Sequence, residues 1–152
     1  MMADICREAE ATTDYRGAFN TLRASTHISA MSISEAIASS AVNAAFDLNA
    51  AVIICLTESG STARLVAKYR PACPILTITA NEQAARQALV SKGLFPLLVG
   101  SMIGTDSLIH RAVLAAQKLN MCSVGDMVVI TSGVREAISG ATNILKIIQV
   151  QF

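Results

Sequence analysis

Ala51-Val52-Ile53-Ile54-Cys55-Leu56-Thr57-Glu58-Ser59-Gly60-Ser61-Thr62-Ala63-Arg64-Leu65-Val66-Ala67-Lys68-Tyr69-Arg70-Pro71 joins an apolar run to a turn of hydroxyls and glycine, then to a short helical pattern. The run reads as a buried strand, Ala51–Leu56, and the pattern after it as a helix over Ser61–Tyr69 that Pro71 stops. A strand that ends in such a turn before a helix is how α/β proteins build an anion cradle. Turn hydroxyls and amides converge there, and the helix N-terminus adds partial positive charge. The same chemistry also closes ordinary strand–helix connections, so local physics leaves both readings open.

Outward from this unit the pattern repeats. Ile75–Thr79 reads as a second strand, followed by a helix from about Glu82 to Ser91 that Lys92-Gly93 ends with a cation and a glycine. Phe95–Val99 is a short third strand, and Thr105-Asp106 caps a helix to about Leu119. Met127–Thr131 and Ile144–Val150 are the fourth and fifth strands. Strands separated by helices require right-handed crossovers and a parallel sheet covered on both faces. The last two are joined by a loop, Ser132–Asn143, which allows an antiparallel pair at the edge. Upstream, residues 2–24 read as one helix with Ile5, Ala9, Thr12, Tyr15, Phe19 and Leu22 along one stripe. After a loop over residues 25–31, Ser32-Ile33-Ser34-Glu35 is a capping box. It opens a helix to about Leu48 whose Ala and Ser residues permit close packing on more than one side.

Composition fits this class. At 152 residues the chain is one domain, 53% hydrophobic but 4% aromatic and without Trp. Its core is therefore aliphatic, as expected for helices on a mostly parallel sheet. A net charge of +1 with interspersed signs, and no aromatic–basic interleaving, argues against nucleic-acid binding. No apolar segment is long enough to span a membrane, and the amino terminus lacks a signal-peptide core. A mean hydropathy of +0.50 suggests an apolar face reserved for another domain or subunit. Cys6, Cys55, Cys73 and Cys122 lack metal-ligand spacing and read as reduced cysteines of a cytoplasmic protein.

Catalytic groups are scarce. The two histidines, His27 in a loop and His110 within a helix, do not fall at a strand C-terminus. Ser59 and Ser61 flank Gly60 without a nucleophile-elbow context, and Walker, dinucleotide and zinc-protease motifs are absent. Glu8 and Glu10 point in different directions on a helix, and Asp126 is expected to bind backbone amides in a turn. Arg64, Lys68 and Arg70 can supply positive charge near the turn, although a solvated helix face explains Lys68 as well. No metal cluster is apparent. Physics alone predicts a small-molecule or phosphate-binding α/β domain without its own catalytic machinery.

Several spaced motifs then carry a resemblance. Thr57-Glu58-Ser59-Gly60-Ser61-Thr62-Ala63 through Lys68-Tyr69-Arg70-Pro71, with Cys73-Pro74-Ile75, resembles the effector-loop region of pyruvate kinases. Arg86-Gln87, Gly93-Leu94-Phe95-Pro96, Gly125-Asp126-Met127-Val128-Val129 and Ser139-Gly140-Ala141-Thr142-Asn143 follow in the same order. Ile5-Cys6-Arg7-Glu8-Ala9-Glu10 is similar to the helix that leaves the family's catalytic barrel, so the likeness runs from Met2 to Val150. It implies a three-layer α/β/α fold with a five-stranded mixed, mainly parallel sheet whose last strand is antiparallel. Residues 2–24 would be the helix leaving the barrel and residues 25–152 the C-terminal domain.

By the same resemblance, the full enzyme transfers phosphate from phosphoenolpyruvate to ADP in glycolysis, with Mg²⁺ and K⁺ in a barrel that would lie upstream. The chain itself would be a non-catalytic piece, from a fragment or a truncated gene, holding no cofactor and no metal. It would contribute a contact in a homotetramer and bind a sugar-phosphate effector. Thr57, Ser59, Gly60, Ser61 and Thr62 would hold one phosphate, and the loop Gly133–Thr142, with Gly133, Arg135 and Gly140, would close over it. Glu58 stands where activator-sensitive animal forms carry Lys, and Val99–Leu108 lacks the Trp and Arg that grip a second phosphate. Weak binding of one phosphoryl group, with little gain from a bisphosphate, is the expectation. Two other classes remain: a free-standing phosphometabolite-binding module, and a small enzyme using Ser59 or Ser61, which lacks a base.

Overall fold

The computed structural model describes residues 1–26, 31–133 and 142–151. Among these the chain runs α1 (Met2–Ala11), α2 (Tyr15–Thr26), α3 (Ile33–Leu48), β1 (Val52–Leu56), α4 (Ser61–Lys68) and β2 (Ile75–Thr79). It continues through α5 (Glu82–Ala88), β3 (Leu94–Leu98), α6 (Thr105–Lys118), β4 (Met127–Gly133) and β5 (Thr142–Gln149). The strands form one sheet in the order β3-β2-β1-β4-β5. All neighbours are parallel except β4 and β5, which pair antiparallel.

Alternation along β1 divides the core. Ile53 and Cys55 face a layer that holds Phe19, Val42 and Val66 from α2, α3 and α4. Val52, Ile54 and Leu56 face α6 through Ile109, Ala112 and Val113. Both faces of β1 are covered, which is why its five residues are all apolar. The result is the expected α/β/α stack. Ala38, Ala41 and Ala45 of α3 are buried, and their small side chains let this helix touch α4, β1, β4 and β5 at once.

Four local readings change. Residues 2–24 are two helices, ending at Thr26, because Thr12-Thr13-Asp14 breaks the run. The Thr12 and Thr13 hydroxyls both donate to the Ala9 carbonyl at 3.0 Å, and the Asp14 carboxylate accepts the Gly17 amide at 2.9 Å. That is an N-cap for a new helix. A Cβ on Gly17 would sit 2.2 Å from the Asp14 carboxylate, so the cap requires glycine there. Half of the capping box forms at α3: Ser32 Oγ accepts the Glu35 amide at 3.2 Å. The Glu35 carboxylate instead takes Lys68 Nζ and the Tyr69 hydroxyl.

Third, α5 stops at Ala88, before the predicted Lys92-Gly93 end. Gly93, at φ +80°, is instead the left-handed residue that delivers the chain into β3. Fourth, β4 extends through Ser132 to Gly133 and β5 begins at Thr142, with an irregularity between Ser132 and Gly133. The ends of the predicted Ser132–Asn143 loop are thus strand residues, and residues 134–141 lie outside the described residues.

The helices docked on the sheet differ in how firmly they are held. Phe19 of α2 is buried, with its ring centroid 5.6 Å from Phe46 and 5.9 Å from Tyr69. No residue of α1 is buried. Contact between α1 and the body includes an ion pair from Glu10 to Lys92 at 3.1 Å, beside Tyr15, whose hydroxyl accepts from the same lysine.

Candidate effector turn

Strand β1 ends at Leu56, and the chain reverses over Thr57–Gly60 into α4. The Thr57 amide donates to the Ile78 carbonyl at 3.0 Å, which fixes the start of the turn to the end of β2. Thr57 Oγ1 then accepts the Gly60 amide at 3.0 Å. Gly60 is the N-cap of α4 at φ +77°, a left-handed conformation that any side chain would strain. Thr79 Oγ1 donates to the Glu58 carbonyl at 3.2 Å and accepts the Asn81 amide, so a second strand end pins the middle of the turn.

The predicted hydroxyls are arranged in pairs. Ser59 Oγ donates to Ser61 Oγ at 3.1 Å, and both residues are half-buried at the surface. Thr57 is buried and bonded to Gly60 within the turn. Thr62 is also buried, and its Oγ1 lies 2.6 Å from Thr142 Oγ1 at the start of β5. Gly133 pairs with Thr142, so both ends of the connection between β4 and β5 stand beside the turn. Arg135 and Gly140, like His27, lie outside the described residues.

Charge near the turn comes from α4. Arg64 is exposed one helical turn on, and its guanidinium is 3.6 Å from the point where a Gly60 Cβ would lie. The first-turn amides of Ser61, Thr62 and Ala63 have no carbonyl partner within their own helix. Together these give a positive potential over Ser59 and Ser61. Lys68 and Arg70 do not contribute, because they lie at the other end of α4, and Lys68 pairs with Glu35. That pair lowers the Glu35 pKa and raises that of Lys68, mainly through their hydrogen bond. Glu58 is half-buried, with Oε2 shielded and without a hydrogen-bond partner among the described residues.

Nucleophilic chemistry finds little support. Burial pushes the Cys55 thiol up to about 12 and the Cys73 thiol up to about 11, so neither is a thiolate at neutral pH. Among the described residues no group of three or more His, Cys, Asp or Glu is arranged to hold a metal ion. No helix among them is long and apolar enough to cross a membrane. Asp126 behaves as predicted, accepting the Ser123 amide at 2.7 Å. Sequence reading passed over Thr79, which occupies a strand position and discloses its role only through the parallel pairing of β1 and β2.

Comparison with known proteins agrees with this geometry. The family model described as "Pyruvate kinase, alpha/beta domain" matches residues 35–148. The pyruvate kinase of Dictyostelium discoideum is 46% identical over 153 residues, covering 99% of this chain and 30% of that protein. The Eimeria tenella enzyme is 40% identical over 99% of the chain and 28% of its own length. A crystal structure of a Cryptosporidium parvum pyruvate kinase superposes with a TM-score of 0.90 at 32% identity, over 97% of this chain and 28% of that one. The chain thus spans under a third of the length of these relatives. A matching fold, a family match over most of the chain and identities up to 46% with such relatives together mean that this chain belongs to the pyruvate kinase family, as its alpha/beta domain.

Proposed function

We propose that this chain is the regulatory and subunit-contact domain of a cytoplasmic pyruvate kinase, whose full-length form transfers phosphate from phosphoenolpyruvate to ADP. The turn over Thr57–Thr62 receives a phosphoryl group of a sugar-phosphate effector. One observation carries this reading: the first turn of α4, the Ser59–Ser61 hydroxyl pair and the Arg64 guanidinium meet at the C-terminal end of β1. The Thr62–Thr142 contact supports a role for the β4–β5 connection in the same site, since ordering that connection over a ligand would act directly on the turn. Exposed apolar residues, including Ile5, Leu89, Val90 and Ile147, support contacts with a barrel or with further copies in a homotetramer.

Glu58 sets the expected affinity. A half-buried carboxylate within the turn opposes an arriving dianion, so binding of one phosphate is weak. Glu58→Lys should tighten sugar-phosphate binding by about 1–2 kcal/mol. Calorimetry with fructose 1,6-bisphosphate and inorganic phosphate on both forms tests this. Equal affinities would remove Glu58 as the gate, and no binding by either would reduce the turn to a structural element. The isolated 152-residue chain should form no ATP from phosphoenolpyruvate and ADP, and turnover above a denatured control would restore the enzyme reading.

A further inference from the structure

Strand β3 pairs with β2 and ends the sheet on one side. It is wholly apolar, Leu94-Phe95-Pro96-Leu97-Leu98, with Phe95 47% and Leu98 50% exposed. Such an edge is a template for strand addition by another chain. Whether the template can be used depends on where each main-chain group points. In a parallel ladder, alternate residues of a strand turn both N–H and C=O toward the neighbouring strand. The Ile75 amide donates to the Gly93 carbonyl and the Val99 amide to the Thr79 carbonyl, both at 2.9 Å. With Ile75 opposite Leu94 and Thr79 opposite Leu98, Phe95 and Leu97 bond β2. Leu94, Pro96 and Leu98 therefore turn outward.

Few donors remain on that outward row. The Leu94 amide is taken by the Ser91 carbonyl at 3.4 Å, and Pro96 has no N–H, which leaves the Leu98 amide. The opposite edge of the sheet differs. There the Val150 amide donates to the Asp126 carbonyl at 2.9 Å, so alternate residues back along β5 face β4. Leu145, Ile147 and Gln149 turn outward with their N–H groups intact. We propose that Pro96 closes the β3 edge to strand addition by a second copy of this chain. A second β3 laid antiparallel about a twofold axis centres on position 96, the middle of the outward row. Residues opposite each other at such a centre normally exchange a pair of N–H···O=C bonds. With proline on both strands, two carbonyls meet and neither bond forms. The proline removes no bond of the β2–β3 ladder, because its nitrogen points away from β2. The phosphate reading of the turn plays no part in this closure.

Three substitutions of Pro96 in the 152-residue chain test this. Pro96→Val and Pro96→Thr both supply the missing donor on a β-branched residue, one apolar and one polar. In sedimentation velocity at high micromolar concentration, each should show a weight-average mass at least about twice that of the wild-type chain. Amide exchange at position 96 and at Leu98 should slow about tenfold or more as concentration rises, since both amides enter the new ladder. Pro96→Lys supplies the same N–H but sets like charges opposite each other across the axis, and should keep the wild-type mass. Urea unfolding of every form identifies any variant that is not folded. Wild-type mass in folded Pro96→Val and Pro96→Thr would overturn the proposal. Assembly of Pro96→Lys to the same extent would overturn it as well, by tracing association to instability. A doubled mass without slower exchange at position 96 and Leu98 would do the same, by placing the contact on another face.

Discussion

Truncating Phe19 tests the division of the amino-terminal segment into a docked helix and an undocked one. The Phe19 ring is 1% exposed and forms aromatic contacts with Phe46 and Tyr69. A phenylalanine ring removes about 150 Å² or more from water, which at roughly 25 cal/mol per Å² is about 4 kcal/mol. The two ring contacts add about 0.5–1.5 kcal/mol each, and partial collapse of the cavity offsets some of the total. Phe19→Ala should therefore cost about 3–5 kcal/mol, read from urea unfolding followed by circular dichroism. For a chain of this length that is a fall in Tm on the order of 10 °C. Ile5→Ala on α1, where the side chain is 54% exposed, should stay within about 0.5 kcal/mol. Amide exchange should likewise be slower along α2 than along α1. A loss below about 1 kcal/mol for Phe19→Ala, or an equal loss for Ile5→Ala, would refute the claim that α2 belongs to the folded unit and α1 hangs beside it.

Three further outcomes are expected. Thr62→Val leaves the buried Thr142 hydroxyl without its partner, and should cost about 1–3 kcal/mol in unfolding experiments while speeding amide exchange at the start of β5; wild-type stability would deny the link. Because the folded-state pKa of Glu35 lies below 4.5 and that of Lys68 above 10.5, their bridge stabilises between those values. It is lost as pH falls through the Glu35 value or rises through that of Lys68. Stability of Glu35→Gln relative to wild type, measured at neutral pH and again near pH 3, should show a deficit that shrinks in acid; a constant deficit would assign the effect to packing. Iodoacetamide on the native chain at neutral pH should label exposed Cys6 and spare Cys55, whose thiol burial holds near 12, and mass spectrometry showing rapid Cys55 labelling would contradict that burial.

Much of the fold was legible because its signals are local. Val52–Leu56 is apolar throughout, and Ile75–Thr79 is buried throughout with only Thr77 and Thr79 polar, since both faces of a central parallel strand are covered, and that requirement is written in consecutive residues. Ser32, Pro71 and the Ala-rich run of α3 act on backbone groups a few residues away, so helix starts and stops followed from composition and spacing alone. The break at Thr12-Thr13-Asp14 was also local, but the apolar stripe that crosses it has helical period on both sides and masked it. The early end of α5 was masked in the same way by Lys92-Gly93, which resembles a helix stop but serves the entry to β3.

Partnership between distant residues needed the tertiary structure. Glu35 reads as a capping carboxylate until α3 and α4 pack together and bring Lys68 within reach, an interaction stronger than the reciprocal cap. Thr62 reads as one more phosphate hydroxyl until β5 returns eighty positions later and sets Thr142 beside it. Lys68 and Arg70 follow the turn closely in sequence, yet the rise of α4 carries them to its opposite end. The sequence by itself determined which segments are strands and helices, and that a hydroxyl-rich turn precedes α4. Only the packed sheet decided which of those hydroxyls remain at the surface and which are held inside, because hydrogen-bond reach is set by distance in space and a periodic pattern carries no such distance.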